Sequence, residues 1–90
     1  MSKIKIPTVM RTHTDGKREI ELESSDVGGL LAALTQQYPG LRELLLDDGG
    51  ELLSYVNVFV NDANIRDLDG NATKLDDRDE VFVVPAMAGG

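Results

Sequence analysis

The sequence has no cysteine and only one histidine among its 90 residues. Without cysteine the chain can form no disulfide framework, thiolate metal site or iron–sulfur cluster, and it has no cysteine nucleophile. A catalytic histidine needs a second group to orient it, and His13 lies in a polar stretch of turn residues, "HTDGK". We therefore interpret His13 as a loop residue and expect neither a metal site nor a catalytic centre.

Positive charge and long apolar runs are also scarce. Nine lysines and arginines stand against sixteen aspartates and glutamates, so the formal net charge is −7. Proteins that bind nucleic acid or anionic membranes use the opposite balance of charge. The composition disfavours both partners and favours a protein with a basic face. Because no stretch resembles a signal peptide or a membrane span, we expect a cytoplasmic protein.

The length of the chain suits one domain with a modest core and leaves little volume for a deep pocket. Its glycines do not form the spaced loops that bind phosphates. The acidic run at residues 76–80 contains an arginine and lacks the spacing of a calcium loop, so it predicts a solvated turn. We therefore expect a protein that is not an enzyme.

The spacing of apolar residues predicts one main helix and several strands. "KIKI" and "EIEL" both alternate, and the Asp15-Gly16 turn between them predicts a β-hairpin. Apolar residues then recur with helical spacing from Val27 to Tyr38, after three residues that favour a helix N-cap. The β-branched stretches "VNVFV" and "EVFVV" predict two further strands.

A helix that follows a hairpin and precedes further strands packs across one face of a mixed sheet. The preference for right-handed crossovers places the last strand beside the first, in the centre of the sheet. We therefore predict an α+β fold of the ubiquitin-like β-grasp kind over residues 1–85. A flexible C-terminal tail over residues 86–90 follows it.

The tail ends in Gly89-Gly90, preceded by Ala86, Met87 and Ala88. Five extended residues reach about 17 Å at ~3.3 Å each, enough to enter a narrow channel in a partner. Small side chains fit such a channel, and glycine lets the partner's backbone approach the carboxyl carbon. A carboxylate must be activated before it reacts, most simply as an acyl-adenylate made from ATP. The sequence thus predicts Gly90 as the reactive group, with a frayed terminus as the alternative.

A second candidate site lies on the strands that precede the tail. The valines of "VNVFV" form the row that suits a leucine-rich helix, so alternation places Phe59, Phe82 and Val84 on the opposite face of the sheet. Helices cover only one face of such a sheet, and an apolar row on the other face indicates a surface for docking a partner. The alternative is that the faces are inverted or that a loop covers the row.

The whole chain resembles the β-grasp sulfur carrier proteins, the MoaD/ThiS-like family. "LDDRDEVFVVPAMAGG" is similar to the family's C-terminal pattern of an acidic turn, the last strand, a proline and a terminal Gly-Gly. "IPTVMRTHTDG" and "VNVFVNDANIR" are most similar to the CysO-type branch, which carries sulfide for cysteine biosynthesis, and to its relatives in secondary metabolism.

The resemblance implies a specific chemistry for the tail. A ubiquitin-activating-like adenylyltransferase and sulfurtransferase would adenylate the Gly90 carboxylate with ATP and Mg²⁺ and convert it to a thiocarboxylate. The sulfur acceptor of the cysteine branch is a pyridoxal-phosphate (PLP) enzyme resembling cysteine synthase, and a zinc peptidase then releases cysteine. The chain itself would bind no cofactor.

Two other functions use the same tail. The chain could be the small subunit of molybdopterin synthase, although Pro85 is followed by alanine rather than by the second proline common in that branch. It could also be a ubiquitin-like modifier joined through Gly90 to lysines of target proteins. An interaction module with an inert tail is the remaining reading.

Overall fold

The computed structural model describes residues 1–85, which form one five-stranded sheet and the helices packed on one of its faces. The elements follow one another in the order β1 (Ser2–Lys5), a 3-10 helix (Thr8–Thr14), β2 (Glu19–Leu22), α1 (Val27–Gln37), a 3-10 turn (Pro39–Leu41), α2 (Arg42–Leu45), β3 (Val56–Val60), β4 (Ala63–Asn64), two 3-10 turns (Ile65–Asp67 and Gly70–Ala72) and β5 (Glu80–Pro85). Residues 86–90, the predicted tail, lie outside the described residues.

The strands are arranged in the order β2-β1-β5-β3-β4. The pairing of β1 with β5 is parallel and the other pairings are antiparallel. The last strand therefore lies beside the first in the middle of the sheet, as the crossover preference predicts. Pro85, at the end of β5, leads directly into the segment that carries the terminal glycines.

The main helix forms where the apolar spacing predicts it. Asp26 is the N-cap, and its Oδ1 accepts a hydrogen bond from the Gly29 amide at 2.7 Å. The five predicted stripe residues are all buried: Val27, Leu30, Leu31, Leu34 and Tyr38. They form one core with the valine row of β3, Val56, Val58 and Val60. Alternation therefore assigns the two faces of the sheet correctly.

The connection between β1 and β2 differs from the predicted tight hairpin. The two strands do pair, from Ser2↔Leu22 to Lys5↔Glu19, but a seven-residue 3-10 helix separates them. Pro7 directly precedes this helix. A proline has no backbone N–H to donate, and none is needed here because the strand has already ended. Thr14 is fully buried, and its hydroxyl donates to the carbonyls of Arg11 and Lys17. A period-two pattern contains no signal for such a compact loop.

Candidate functional site: an apolar row beside the last strand

The outer face of the sheet carries an apolar row on β3 and β5. Phe59 lies directly opposite Phe82 in the antiparallel register, and Asn57 lies opposite Val84. Both phenylalanines are half-buried, whereas Val84 is 46% exposed. Their neighbours in the strands, Val58 and Val83, point into the core. The structure thus brings together the three residues that the sequence predicts as a docking surface, and it places them on the face of the sheet away from the helices.

A shallow depression of about 330 Å³ lies over this row. Phe59, Phe82 and Val84 form its apolar part, and Asn61 and Asp62 form its rim. Aromatic residues surrounded by polar groups are typical of surfaces that bind another protein. Because Pro85 follows Val84 directly, the depression lies on the strand from which the predicted tail continues.

A polar network holds the adjoining edge of this face. The Arg66 guanidinium donates to Asn57 Oδ1 at 2.6 Å and to the Leu53 carbonyl at 3.0 Å. Asn64 Nδ2 also donates to Asn57 Oδ1, at 3.3 Å. These contacts tie the short β4 segment to β3 near Val84. The sequence does not predict them, since Arg66 follows in a turn-rich stretch and nothing local indicates its partner.

The opposite edge of the row is charged. Lys5 lies beside Phe82 in the parallel register, and its Nζ donates to a carboxylate oxygen of Glu19 on β2. The same hydrogen bond lowers the pKa of Glu19 and raises the pKa of Lys5, and the positive charge of Lys3 lowers the Glu19 pKa further. The apolar row is therefore bordered by an ion pair whose two charged forms stabilise each other.

Comparison with known proteins identifies the family of this chain. The ThiS family model matches residues 4–90. The chain is 37% identical over 89 residues to the sulfur carrier protein CysO of Mycobacterium tuberculosis. The match covers 97% of this chain and 96% of that protein. It is 44% identical over 68 residues to small archaeal modifier protein 3 of Haloferax volcanii, with 76% and 73% of the two chains covered.

The fold agrees as well. A crystal structure of the BexX/CysO complex of Amycolatopsis orientalis contains a chain that this protein matches with a TM-score of 0.91, at 30% identity and over 100% of both chains. The chain belongs to the ThiS family. Both the β-grasp fold and the family resemblance predicted from the sequence are thereby confirmed.

As a ThiS family member, the chain is a small sulfur carrier protein of the CysO type rather than an enzyme, since relatives such as the mycobacterial CysO proteins are named as sulfur carriers. Residues 1–85 contain no group of three side chains that could hold a metal ion and no helix long and apolar enough to cross a membrane. The acidic run at residues 76–80 forms a turn that leads into β5, in which Asp76 and Asp79 accept backbone hydrogen bonds.

His13 and the predicted tail are the remaining candidate site residues of this ThiS family protein. His13 is exposed on the 3-10 helix and packs against Gly40, where a Cβ would lie 2.6 Å from Nδ1. The predicted sulfur-carrying residue Gly90 and the threading residues Gly89, Ala88, Met87 and Ala86 lie outside the described residues. Their roles stay predictions.

Proposed function

We propose that this protein carries sulfur as a thiocarboxylate on the carboxyl carbon of Gly90. The observation that carries the proposal is the extent of the family match, which runs from the first strand through Gly90 and so includes the terminal glycine pair. The apolar row of Phe59, Phe82 and Val84 supports it, because an activating enzyme needs a surface to grip next to the strand that leads to the tail.

The chemistry takes place at the partner's active site in two steps. The Gly90 carboxylate attacks the α-phosphorus of ATP and displaces pyrophosphate, with Mg²⁺ held by the partner and the nucleotide. Hydrosulfide, or a sulfur donor that delivers it, then attacks the acyl carbon and displaces AMP, which leaves a C-terminal thiocarboxylate and releases one proton. Ala86, Met87, Ala88 and Gly89 thread the partner's channel, while the β-grasp domain of residues 1–85 stays outside.

The sulfur acceptor is a biosynthetic enzyme. Similarity to proteins named CysO supports a PLP-dependent enzyme that makes cysteine, or an enzyme of secondary metabolism, as the acceptor. In the first case a zinc peptidase trims the cysteine-extended chain and restores Gly90. The same face of the sheet serves each partner in turn, so the carrier binds one enzyme at a time.

Intact-mass analysis tests the proposal. The chain is incubated with the adenylating enzyme of its source organism, ATP, Mg²⁺ and sulfide, and we expect a mass gain equal to sulfur replacing one oxygen. A chain with one residue added after Gly90 should show no gain, whereas a chain with one residue added before Met1 should behave like the wild type. Sulfur incorporation into the C-terminally extended chain would contradict the assignment to Gly90.

A second function, protein modification, is favoured by the similarity to small archaeal modifier protein 3. The acyl-adenylate would then be attacked by a lysine amine of a target protein, which forms an amide and releases AMP. The same reaction in cell extract distinguishes the two functions. A carrier yields the small sulfur-for-oxygen shift, and a modifier yields a ladder of larger conjugates that the C-terminal extension abolishes.

A further inference from the structure

The positive charge of this acidic protein is concentrated at one end of the chain. Five of the nine lysines and arginines, but only one of the sixteen acidic residues, lie in residues 1–18. This segment carries a net charge of +4 and the rest of the chain −11. Such segregation creates a local field opposite in sign to that of the whole protein.

The fold gathers four of these five cations, all but Lys3, around an open groove of about 740 Å³. Arg11, Lys17 and Arg18 line it, and Phe82 of the apolar row lines it as well. Phe82 thus belongs both to this groove and to the depression over Phe59 and Val84. The cationic groove and the apolar row form one continuous surface on the outer face of the sheet.

The one acidic residue of the groove is already neutralised. Glu19 binds Lys5 and lies 3.9 Å from the Lys3 amine. Within residues 1–85 the side chains of Lys17 and Arg18 form no hydrogen bond or ion pair, and both are exposed. Among the described residues Arg11 donates only its Nε–H, to the Ile6 carbonyl at 3.1 Å, which fixes the guanidinium and leaves its two terminal amino groups available.

The backbone that presents these cations is held in place. The Gly16 amide donates to the Arg11 carbonyl at 2.8 Å and the Lys17 amide to the Thr14 carbonyl at 3.0 Å. The Ile6 amide donates to the Arg18 carbonyl at 2.7 Å, which extends the pairing of β1 and β2 beyond the strands. A groove whose wall is ordered before binding loses less conformational entropy when a ligand enters.

We propose that this groove binds an acidic segment, a run of aspartate or glutamate side chains on the partner protein, while the apolar row grips the partner beside it. The proposal deepens the function proposed above and rests on it for the identity of the partner. Planar guanidinium groups match carboxylates with two parallel hydrogen bonds, and three unpaired cations around one groove suit a chain segment rather than a single small anion. The apolar row beside the groove favours a protein segment over a nucleic acid, since Phe82 lines both surfaces.

The first experiment needs no partner enzyme. Isotope-labelled protein is titrated with hexaglutamate, and we expect amide shift changes centred on Arg11, Lys17 and Arg18. Arg18→Glu should remove most of the response. Its matched control is Arg42→Glu, the same charge change on α2, on the helical side of the molecule. Arg42→Glu should leave the response unchanged.

Three results would overturn the groove proposal: no shift changes, changes spread equally over Arg42, Lys74 and Arg78, or a stronger response of the groove to an oligonucleotide than to hexaglutamate. None of these results bears on sulfur transfer, which the intact-mass experiment decides separately. A sulfur-for-oxygen mass shift without a response of the groove would support the sulfur-carrier proposal and contradict the proposal that the groove binds an acidic segment.

The second experiment measures association of the full chain with the adenylating enzyme by calorimetry at low and at physiological salt. At low salt we expect Arg18→Glu to weaken binding about tenfold or more, because charge reversal at an interface opposes the partner's field. The loss should shrink at physiological salt, and Arg42→Glu should stay within about twofold of the wild type. Equal effects of the two substitutions at both salt concentrations would count against the groove.

Discussion

At the scale of single residues, the Lys5–Glu19 pair links the fold to the apolar row. The two residues face each other across β1 and β2, and Lys5 also adjoins Phe82 on β5. Their hydrogen bond stabilises both charged forms, so it lowers the pKa of Glu19 and raises that of Lys5. Both side chains are solvent-accessible, and an exposed pair of this kind contributes little to stability. Its larger effect is to balance the negative charge of Glu19 at the groove beside it.

The pKa directions predict a pH dependence for Glu19→Gln. The lowered pKa of Glu19 means that its stabilisation is present above the ordinary glutamate pKa and is lost as pH falls through the lower, folded-state value. The raised pKa of Lys5 means that the stabilisation is lost again as pH rises through the folded-state value above that of free lysine. Urea midpoints of wild type and Glu19→Gln should therefore differ slightly near neutral pH and converge at both extremes.

Glu23→Gln is the matched control for this prediction, because it removes the same charge from an exposed residue that forms no ion pair within residues 1–85. The urea midpoint of Glu23→Gln should not show a difference from wild type that appears near neutral pH and disappears at both extremes. If the urea midpoints of Glu19→Gln and Glu23→Gln depend on pH in the same way, the change in stability comes from net charge and the ion pair with Lys5 contributes nothing to it.

At the scale of elements, the start of α1 shows why two glycines occur where alanine would favour the helix. A Cβ on Gly28 would lie 3.2 Å from the Asn71 carbonyl oxygen, and a Cβ on Gly29 would lie 2.5 Å from Ser24 Oγ. Ser24 in turn donates to the Asp26 carbonyl at 2.7 Å next to the N-cap. The glycines allow the preceding loop and the 3-10 turn at Gly70–Ala72 to approach the first helical turn.

The prediction for this element is a coupling between Gly29 and Ser24. In the wild-type background Gly29→Ala should destabilise the protein, although alanine favours a helix by roughly 1 kcal/mol over glycine, because the new methyl group displaces the Ser24 hydroxyl. In a Ser24→Ala background that hydroxyl is absent, and the same substitution should cost less by about 0.5–3 kcal/mol, the usual range for side chains in contact.

A double-mutant cycle from urea unfolding measures the coupling between the two residues. Gly50→Ala in both backgrounds is the control, since a Cβ there meets nothing within 4 Å and any cost comes from the positive φ of 82° alone. Its cost should be equal in the two backgrounds. If the changes in unfolding free energy of Gly29→Ala and Ser24→Ala add, the close approach of these two residues at the helix start does not contribute to stability.

The elements also show how far sequence reasoning reaches. The stripe from Val27 to Tyr38 and the valine row of β3 could be predicted because periodicity reports which face is buried. Placing Phe59, Phe82 and Val84 on the outer face followed from the same alternation. The 3-10 helix of Thr8–Thr14 could not be predicted, since it depends on a buried threonine whose hydroxyl bonds are visible only in three dimensions. The sequence shows that five cations fall within residues 1–18, but the groove that they form beside Phe82 depends on the register of β1 on β5.

At the scale of the whole molecule, the two faces of the sheet differ in burial. Val58 is fully buried under the helices, whereas Val84 on the neighbouring strand is 46% exposed on the other face. Burial on the first face provides the hydrophobic free energy that holds the fold, and exposure on the second leaves the apolar surface that the proposed docking would use. Substitutions on the two faces should therefore change different quantities.

Val58→Ala and Val84→Asp test this separation. We expect Val58→Ala to cost about 2 kcal/mol of unfolding free energy, from two lost methyl groups and the cavity they leave. Below its unfolding transition it should still bind the adenylating enzyme. Val84→Asp should leave the unfolding midpoint nearly unchanged and weaken binding about tenfold, which corresponds to ~1.4 kcal/mol.

The control for Val84→Asp is Leu68→Asp, because Leu68 is also 46% exposed but lies in the turns after β4, outside the apolar row. Calorimetric titration and urea unfolding on all three variants complete the test. A loss of binding in Leu68→Asp as large as that in Val84→Asp would mean that added negative charge, and not the apolar row, governs association.

The parallel pairing of β1 with β5 has a consequence for how a ribosome makes this protein. β5 is synthesised after the other four strands, yet it is the strand that joins the β1–β2 pair to the β3–β4 pair. A nascent chain that stops before Glu80 therefore has two separate half-sheets with no strand between them. The native five-stranded sheet can therefore form only after β5 has been synthesised. A folded copy contains β5 through Pro85, and truncation before Glu80 would leave the two pairs of strands unjoined.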